Sequence, residues 1–262
     1  MRARAPRLER PAREGYLLEP DSRDRPGALG FRGGGFEVEG RLETGIPGLD
    51  EVTGGGWILP STVLIAGAPG TGKTTIAVQS LFHGARKGET GVYFTGISEP
   101  GWVVQHFLKG FSFYDQALIE SGKVIFVDVG AAVRKSAQEG VERIQQEVER
   151  IAPARIVVDP VSVIRAAVES ERLYRETLHD LVAFMKGMNC VLFLTAESEY
   201  DEKRPGLESH MVDAILSLSH PKEGHARRKY LEVVKMRGSK HMSGEQSADL
   251  SDAGFVVHPG LH

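Results

Sequence analysis

The chain has 262 residues, of which 41% are hydrophobic and 26% charged, with a formal net charge of −3. That length buries a sizeable core, and the near-neutral balance excludes a global basic field for nucleic acid. A lone cysteine, Cys190, excludes a disulfide or a zinc ribbon; set in Asn189-Cys190-Val191-Leu192-Phe193-Leu194, it reads as an inert thiol on a buried strand.

No apolar run approaches the roughly 18 residues of a membrane span, and the N-terminus shows no signal-peptide core. The expectation is a soluble, cytoplasmic protein. Residues 1–40 stand apart. Arg2, Arg4, Arg7, Arg10 and Arg13 are interspersed with prolines, and Gly33-Gly34-Gly35 follows. No period survives there, which predicts a disordered arm, and acidic residues from Glu9 to Asp24 make its basic tip a solvated tail.

From residue 41 to 262 apolar strands alternate with amphipathic helices. Residues 63–66 form a short buried strand that enters a glycine-rich loop; the helix that begins near Lys73 carries Ile76, Ala77, Leu81 and Phe82. Gly91–Thr95 is a second strand, followed by a helix bearing Val103 and Phe107. Residues 123–128 are a third. The spacing of Val141, Ile144, Val148 and Ile151 predicts a helix, 156–159 a fourth strand, Leu178, Leu181, Val182 and Met185 another helix, and 191–195 a fifth strand. The pattern is α/β, with a mainly parallel sheet covered on both faces. Residues 214–219 and 229–236, separated by a turn-rich stretch, read as an antiparallel hairpin at the sheet edge. No internal repeat is visible, so residues 41–262 are one domain.

Gly67-Ala68-Pro69-Gly70-Thr71-Gly72-Lys73-Thr74 matches GxxxxGK[ST] in full, between a strand and a helix. Gly70 and Gly72 let successive backbone N–H groups turn toward a β-phosphate, and the helix N-terminus adds its positive dipole end. Lys73 is placed to bridge β- and γ-phosphates, Thr74 to ligate Mg²⁺, and Thr75 to touch the α-phosphate of ATP. Arg155-Ile156-Val157-Val158-Asp159 ends a buried strand in a carboxylate, the form of a Walker B residue that holds Mg²⁺.

Thr44-Gly45-Ile46-Pro47-Gly48-Leu49-Asp50-Glu51 with Gly54-Gly55-Gly56 resembles the entry segment of RecA-like ATPases of the KaiC type. Lys235-Met236-Arg237-Gly238-Ser239, with His241-Met242 and Gly244-Glu245 behind it, is similar to a later segment of the same family. The resemblance runs from about Arg41 to Pro259. It implies a RecA-like P-loop fold and a homo-oligomeric ring, usually a hexamer, with MgATP between neighbouring subunits. One subunit supplies the P-loop, Asp159 and a catalytic glutamate; Lys235 and Arg237 match positions that reach the γ-phosphate from the neighbour. Ser239, His241 and Asp252 match positions near the ribose and base. Strand alternation puts Lys235 and Arg237 on one face, so both cations can enter one cleft, where an arginine would stabilise γ-phosphoryl charge.

Two departures stand out. Family members carry paired glutamates after the second strand, where this chain has Ile97 and Ser98; only Glu99 is close, and it is the expected base. Clock members carry adjacent Ser and Thr where this chain has Ser209 and His210, which argues against a clock-type autokinase. Of the stretches corresponding to recombinase DNA loops, 166–175 holds Glu169 and Glu171, with Glu176 next, beside Arg172 and Arg175. The second, 196–210, holds Glu197, Glu199, Asp201, Glu202 and Glu208 against Lys203 and Arg204. Acidic loops would repel phosphates, so nucleic acid is not an expected partner. Arg227, Arg228 and Lys229 read as a solvated turn. The expectation is a regulatory ring ATPase with an unidentified protein partner. The alternatives are a hydrolysis-deficient assembly switch and, less favoured, a DNA-dependent recombination ATPase.

Overall fold

The computed structural model describes residues 40–96, 100–197, 200 and 206–260. The arm expected over 1–40 therefore lies, up to residue 39, outside the described residues, and so does Glu99.

The chain enters through β1 (Arg41–Leu42), α1 (Leu49–Thr53) and β2 (Trp57–Ile58), which reach the fully buried β3 (Ser61–Gly67) and then α2 (Lys73–Arg86). After these come β4 (Gly91–Thr95), α3 (Gly101–Leu108), α4 (Gln116–Glu120), β5 (Val124–Asp128), α5 (Gly130–Val133), α6 (Ala137–Ile151) and β6 (Arg155–Asp159). The rest runs through α7 (Ser162–Ala166), α8 (Glu171–Gly187), β7 (Val191–Ala196), α9 (Leu207–Met211) and β8 (Ala214–Ser219). A small hairpin of β9 (Lys222–Glu223) and β10 (Ala226–Arg227) precedes β11 (Lys229–Met236), β12 (Gln246–Ser251) and β13 (Gly254–His258). Among the described residues no helix is long and apolar enough to cross a membrane.

Nine of these strands make one sheet in the order β13-β12-β11-β8-β3-β7-β6-β4-β5. The run from β8 to β5 is parallel; β11, β12 and β13 join antiparallel. The inner strands β3, β4, β6 and β7 are mainly apolar because both their faces are covered, and alternation divides their side chains between two cores. Val63, Ile65, Tyr93, Val157, Val191 and Phe193 face the layer that contains α2. Leu64, Val92, Phe94, Ile156, Val158, Leu192 and Leu194 face the layer of α6, α7 and α8.

The helices follow their apolar spacing. On α6, Val141, Ile144 and Val148 are buried, and Ser136 caps its first turn by accepting from the Glu139 N–H. On α8, Leu178, Leu181, Val182 and Met185 are buried behind a Ser170 cap. The short α3 departs from expectation: Val104 and Leu108 are buried, whereas Phe107 is 67% exposed and Trp102 72%. Apolar residues stand all round this helix, so its sequence period does not single out the buried face. The expected hairpin is present as β8 and β11, but it is not the sheet edge. The mostly polar β12, with only Gln246 and Ala248 buried, and then β13 lie beyond it.

One buried charge ties the sheet to α2. Arg155, at the start of β6 and 1% exposed, donates from Nε and Nη2 to Glu89 at 2.6 and 3.1 Å. Its Nη1 donates to the Ser80 carbonyl at 3.0 Å and Oγ at 2.8 Å. Gly84 lies mid-helix because a Cβ there would stand 2.5 Å from Arg155 Nε. Glu89→Ala removes the carboxylate that pairs with a desolvated guanidinium. Chemical denaturation is expected to show a loss of about 3 kcal/mol, with Glu89→Gln losing less.

Candidate functional site

The loop that leaves β3 is shaped by what lies beneath it. A Cβ on Gly67 would stand 2.6 Å from the Leu218 carbonyl of β8, so strand and loop approach more closely than any other residue permits. Gly72, at the N-terminus of α2, has φ 112° and lies under the Phe255 ring, where a Cβ would come within 2.9 Å. The Thr71 hydroxyl donates to the Ala68 carbonyl at 2.8 Å and closes the loop, leaving Pro69 and Gly70 at its exposed tip.

Lys73 is 8% exposed and donates from Nζ to the Gly67 and Ala68 carbonyls at 2.9 and 3.1 Å. Burial pushes its ammonium below the ordinary lysine range, opposed by the charges of Asp159 and Glu197. Thr75, the third residue of α2, is packed in the first turn and 9% exposed. The Thr74 hydroxyl donates to Asp159 Oδ2 at 2.6 Å, so the strand end and the loop, expected from the sequence to share a cation, do meet. Tyr93 donates to the same oxygen at 2.7 Å, and Thr195 donates to Oδ1.

Sequence reasoning passed over Tyr93 and Thr195. Strand parity finds them, because Tyr93, Asp159 and Thr195 continue the alternate positions of β4, β6 and β7 that face α2. Thr95, paired in register with Asp159, adds a hydroxyl that is buried and has no hydrogen-bond partner among the described residues. Hard oxygen donors around a carboxylate, with an unpaired hydroxyl beside them, fit Mg²⁺ and its water shell. In that fit Thr74 and Asp159 hold the ion, and the loop N–H groups with Lys73 hold phosphates.

The remaining expected residues lie at two separate ends. Lys235 donates to the carbonyls of Ser209 and Val212 at 3.2 and 2.6 Å, and Arg237 pairs with Asp213 at 3.3 Å. Burial, then the charge of Arg237, lowers the Lys235 pKa. The two cations converge on one segment, as alternation suggested, although β11 carries a register shift before Lys235 and Arg237 lies one residue past the strand. Ser239 donates to the Thr53 carbonyl of α1 at 2.7 Å and accepts from Arg41 at 2.9 Å. His241 follows closely, its Nδ1 buried without a partner among the described residues. This group sits where β3 and β8 begin, opposite the P-loop. Asp252, grouped with Ser239 and His241 in the sequence, lies instead on the β12–β13 turn at the P-loop end.

The solvated-turn reading of 227–229 needs one correction. Arg227 and Arg228 are exposed and bonded within the small hairpin, but Lys229 is half-buried and donates to the Gly70 carbonyl at 2.6 Å. Burial lowers its pKa. A cavity of about 400 Å³, lined by Lys229, Ser247, Asp249 and Leu250, opens there beside the loop tip. A contact between residues 159 positions apart leaves no local sequence trace. One further expectation changes. Residues 166–175 are a short connection and the first turn of α8 rather than a free loop. Ser209 is buried in α9.

The sequence model of the KaiC ATPase family matches residues 42–262. The chain belongs to the KaiC ATPase family. The circadian clock oscillator protein KaiC of Parathermosynechococcus lividus is 30% identical over 230 residues, covering 84% of this chain and 42% of that protein. The circadian clock protein KaiC3 of a Synechocystis species is 31% identical over 237 residues, covering 84% and 46%. The chain thus spans less than half the length of these curated relatives. The crystal structure of a KaiC-like protein from the hyperthermophilic archaeon Pyrococcus horikoshii superposes with a TM-score of 0.75. It is 30% identical, and the match covers 84% of this chain and 99% of that one. The mainly parallel sheet with an antiparallel C-terminal extension is the RecA-like fold of this family.

Tyr93→Phe leaves the Asp159 carboxylate with one fewer donor. A hydrogen bond to a charged group contributes about 1.5 kcal/mol, so the Mg²⁺ concentration for half-maximal nucleotide binding is expected to rise roughly tenfold. Fluorescent ADP titrated with Mg²⁺ and in EDTA checks this; binding in EDTA stays unchanged.

Proposed function

We propose that the chain is a ring-forming MgATPase with a regulatory role in the cytoplasm, its sites completed by a neighbouring copy. The observation that carries this reading is the separation within one chain. The P-loop lies at one end of the sheet, and Lys235, Arg237, Ser239 and His241 lie at the other. β11 has eight residues between these ends, about 25 Å of strand at roughly 3.3 Å per residue. One chain cannot bring both groups to one nucleotide. In a head-to-tail ring each copy offers its far end to the next copy's P-loop.

In this reading the loop N–H groups and Lys73 hold the β- and γ-phosphates, and Thr75 the α-phosphate. Thr74 and Asp159 hold Mg²⁺, which supplies charge neutralisation between the phosphates. Asp252 and the cavity beside Lys229 take the ribose and base from the same chain, while Ser239 and His241 approach from the neighbour. Lys235 and Arg237 of the neighbour stabilise charge that develops on the γ-phosphoryl oxygens. Glu99 is the base suggested by the sequence. Ile97 and Ser98 in the places of the family's paired glutamates favour a second reading, in which ATP occupancy drives assembly and turnover is negligible. Nucleic acid has no part in either reading, because the sequence of 196–210 sets Glu197, Glu199, Asp201, Glu202 and Glu208 against only Lys203 and Arg204.

Steady-state ATP hydrolysis by Lys73→Ala, Arg237→Ala and their equimolar mixture tests the shared site. Each variant alone is expected to lose turnover. Random mixing restores about a quarter of the interfaces with both halves intact, and so about a quarter of native activity. A mixture as inactive as its components, from rings shown by light scattering to exchange subunits, overturns the shared site. A native protein that assembles with ATP but does not hydrolyse it moves the conclusion to the assembly switch.

A further inference from the structure

The site as described has a cation-binding carboxylate, Asp159, but Ile97 and Ser98 occupy the places of the family's paired glutamates. Another acidic side chain stands at the mouth of the P-loop. β7 runs parallel to β3 with Ala196 opposite Ala66, so the next step in register sets Glu197 beside Gly67, the first residue of the loop. Alternation fixes its face. Val191 and Phe193 pack on the α2 side, and Thr195 reaches Asp159 there. Glu197 is the first residue past the end of β7, and one more step of the same alternation leads to that side. It is exposed, and it and Asp159 are the carboxylates whose charges act on the Lys73 ammonium. An exposed acid at this place faces the end of a bound polyphosphate rather than the protein core.

We propose that Glu197 is the carboxylate that orients and deprotonates the attacking water, an inference that rests on the MgATPase reading. The water oxygen bonds to the γ-phosphorus as the bond from that phosphorus to the β,γ-bridging oxygen breaks. ADP leaves with that electron pair, and Glu197 takes the water's proton and releases it to solvent after phosphate departs. The role suits this position for a physical reason. Gly67 has no side chain to stand between the carboxylate and the phosphate groove, and Lys73 balances its charge.

The test uses the full chain with Glu197→Gln, Glu99→Gln and the double variant. Three quantities are read: kcat, dissociation constants for ADP and for a non-hydrolysable ATP analogue, and thermal stability. Glu197→Gln is expected to lower kcat by about a hundredfold or more, in the range for loss of a general base. Removing its negative charge should also raise the preference for the triphosphate over ADP several-fold, with stability unchanged. Glu99→Gln keeps the Glu197 carboxylate and is expected to lower kcat by less than Glu197→Gln does. Turnover lost in Glu99→Gln but kept in Glu197→Gln overturns the proposal. If the native protein does not hydrolyse ATP, the hydrolytic reading fails by itself. The nucleotide preference of Glu197→Gln then decides its placement: a rise supports it facing the terminal phosphate, and an unchanged preference overturns it.

Discussion

The phosphate site depends on a single constraint, the alternation of side chains along parallel strands that are packed on both faces. A one-residue slip in β6 would turn Asp159 toward α6 and α8 and bring Val158 to the P-loop. The register is held because each face is apolar and closed. Ile156 and Val158 have no place on the α2 side except at the cost of the opposite core. The same parity delivers Tyr93, Thr95 and Thr195 to the side where α2 begins. A hydrophobic pattern thereby positions a polar site, and the Tyr93 and Thr195 hydroxyls arrive bonded to the carboxylate. Thr74, in the first turn of α2, adds a short hydrogen bond that links the start of that helix to the end of β6.

This also explains what could be read from the sequence. The P-loop and Asp159 were legible because each is a local pattern in which strand, turn and helix follow one another within a few residues. β3, β4, β6 and β7 were legible because a strand covered on both faces is a short apolar run. The extent of the antiparallel extension was not. β12 has only two buried side chains and otherwise reads as a polar loop, and its pairing with β11 is a long-range choice. Lys229 was missed for the same reason, since its meaning comes from β11 lying beside β8, which lies beside β3. The resemblance groups Asp252 with Ser239 and His241, but the chain crosses the sheet between them, and proximity in sequence conceals that Asp252 lies at the P-loop end.

The two far-end cations differ in energetic standing, which separates their roles. Lys235 makes two bonds to backbone carbonyls of 209–212, and both are partly buried. Moving it would expose acceptors at the end of α9 and cost on the order of 1–3 kcal/mol for each group left unsatisfied. That segment is held from its other side as well, where the Tyr174 hydroxyl donates to Glu208 at 2.6 Å and the Arg165 guanidinium lies over the Tyr174 ring. Lys235 is thus the less mobile of the pair, and α9 is its support.

Arg237 is different. Its side chain is 57% exposed and its partner, Asp213, is shared with Lys186 at 3.0 Å and with the Thr62 N–H at 3.0 Å. An exposed ion pair of this kind contributes only about 0–1 kcal/mol, and Asp213 keeps its other donors when the guanidinium leaves. A doubly negative terminal phosphate in a desolvated cleft offers far more than that, through bidentate charge-assisted bonds that a single carboxylate oxygen does not match. In the ring proposed above, the balance favours transfer of Arg237 to the neighbour's nucleotide, with Lys235 fixing the distance. In a ring built this way the contact is made only while a γ-phosphate is present. The strength of the contact between neighbours would then report the state of the nucleotide between them.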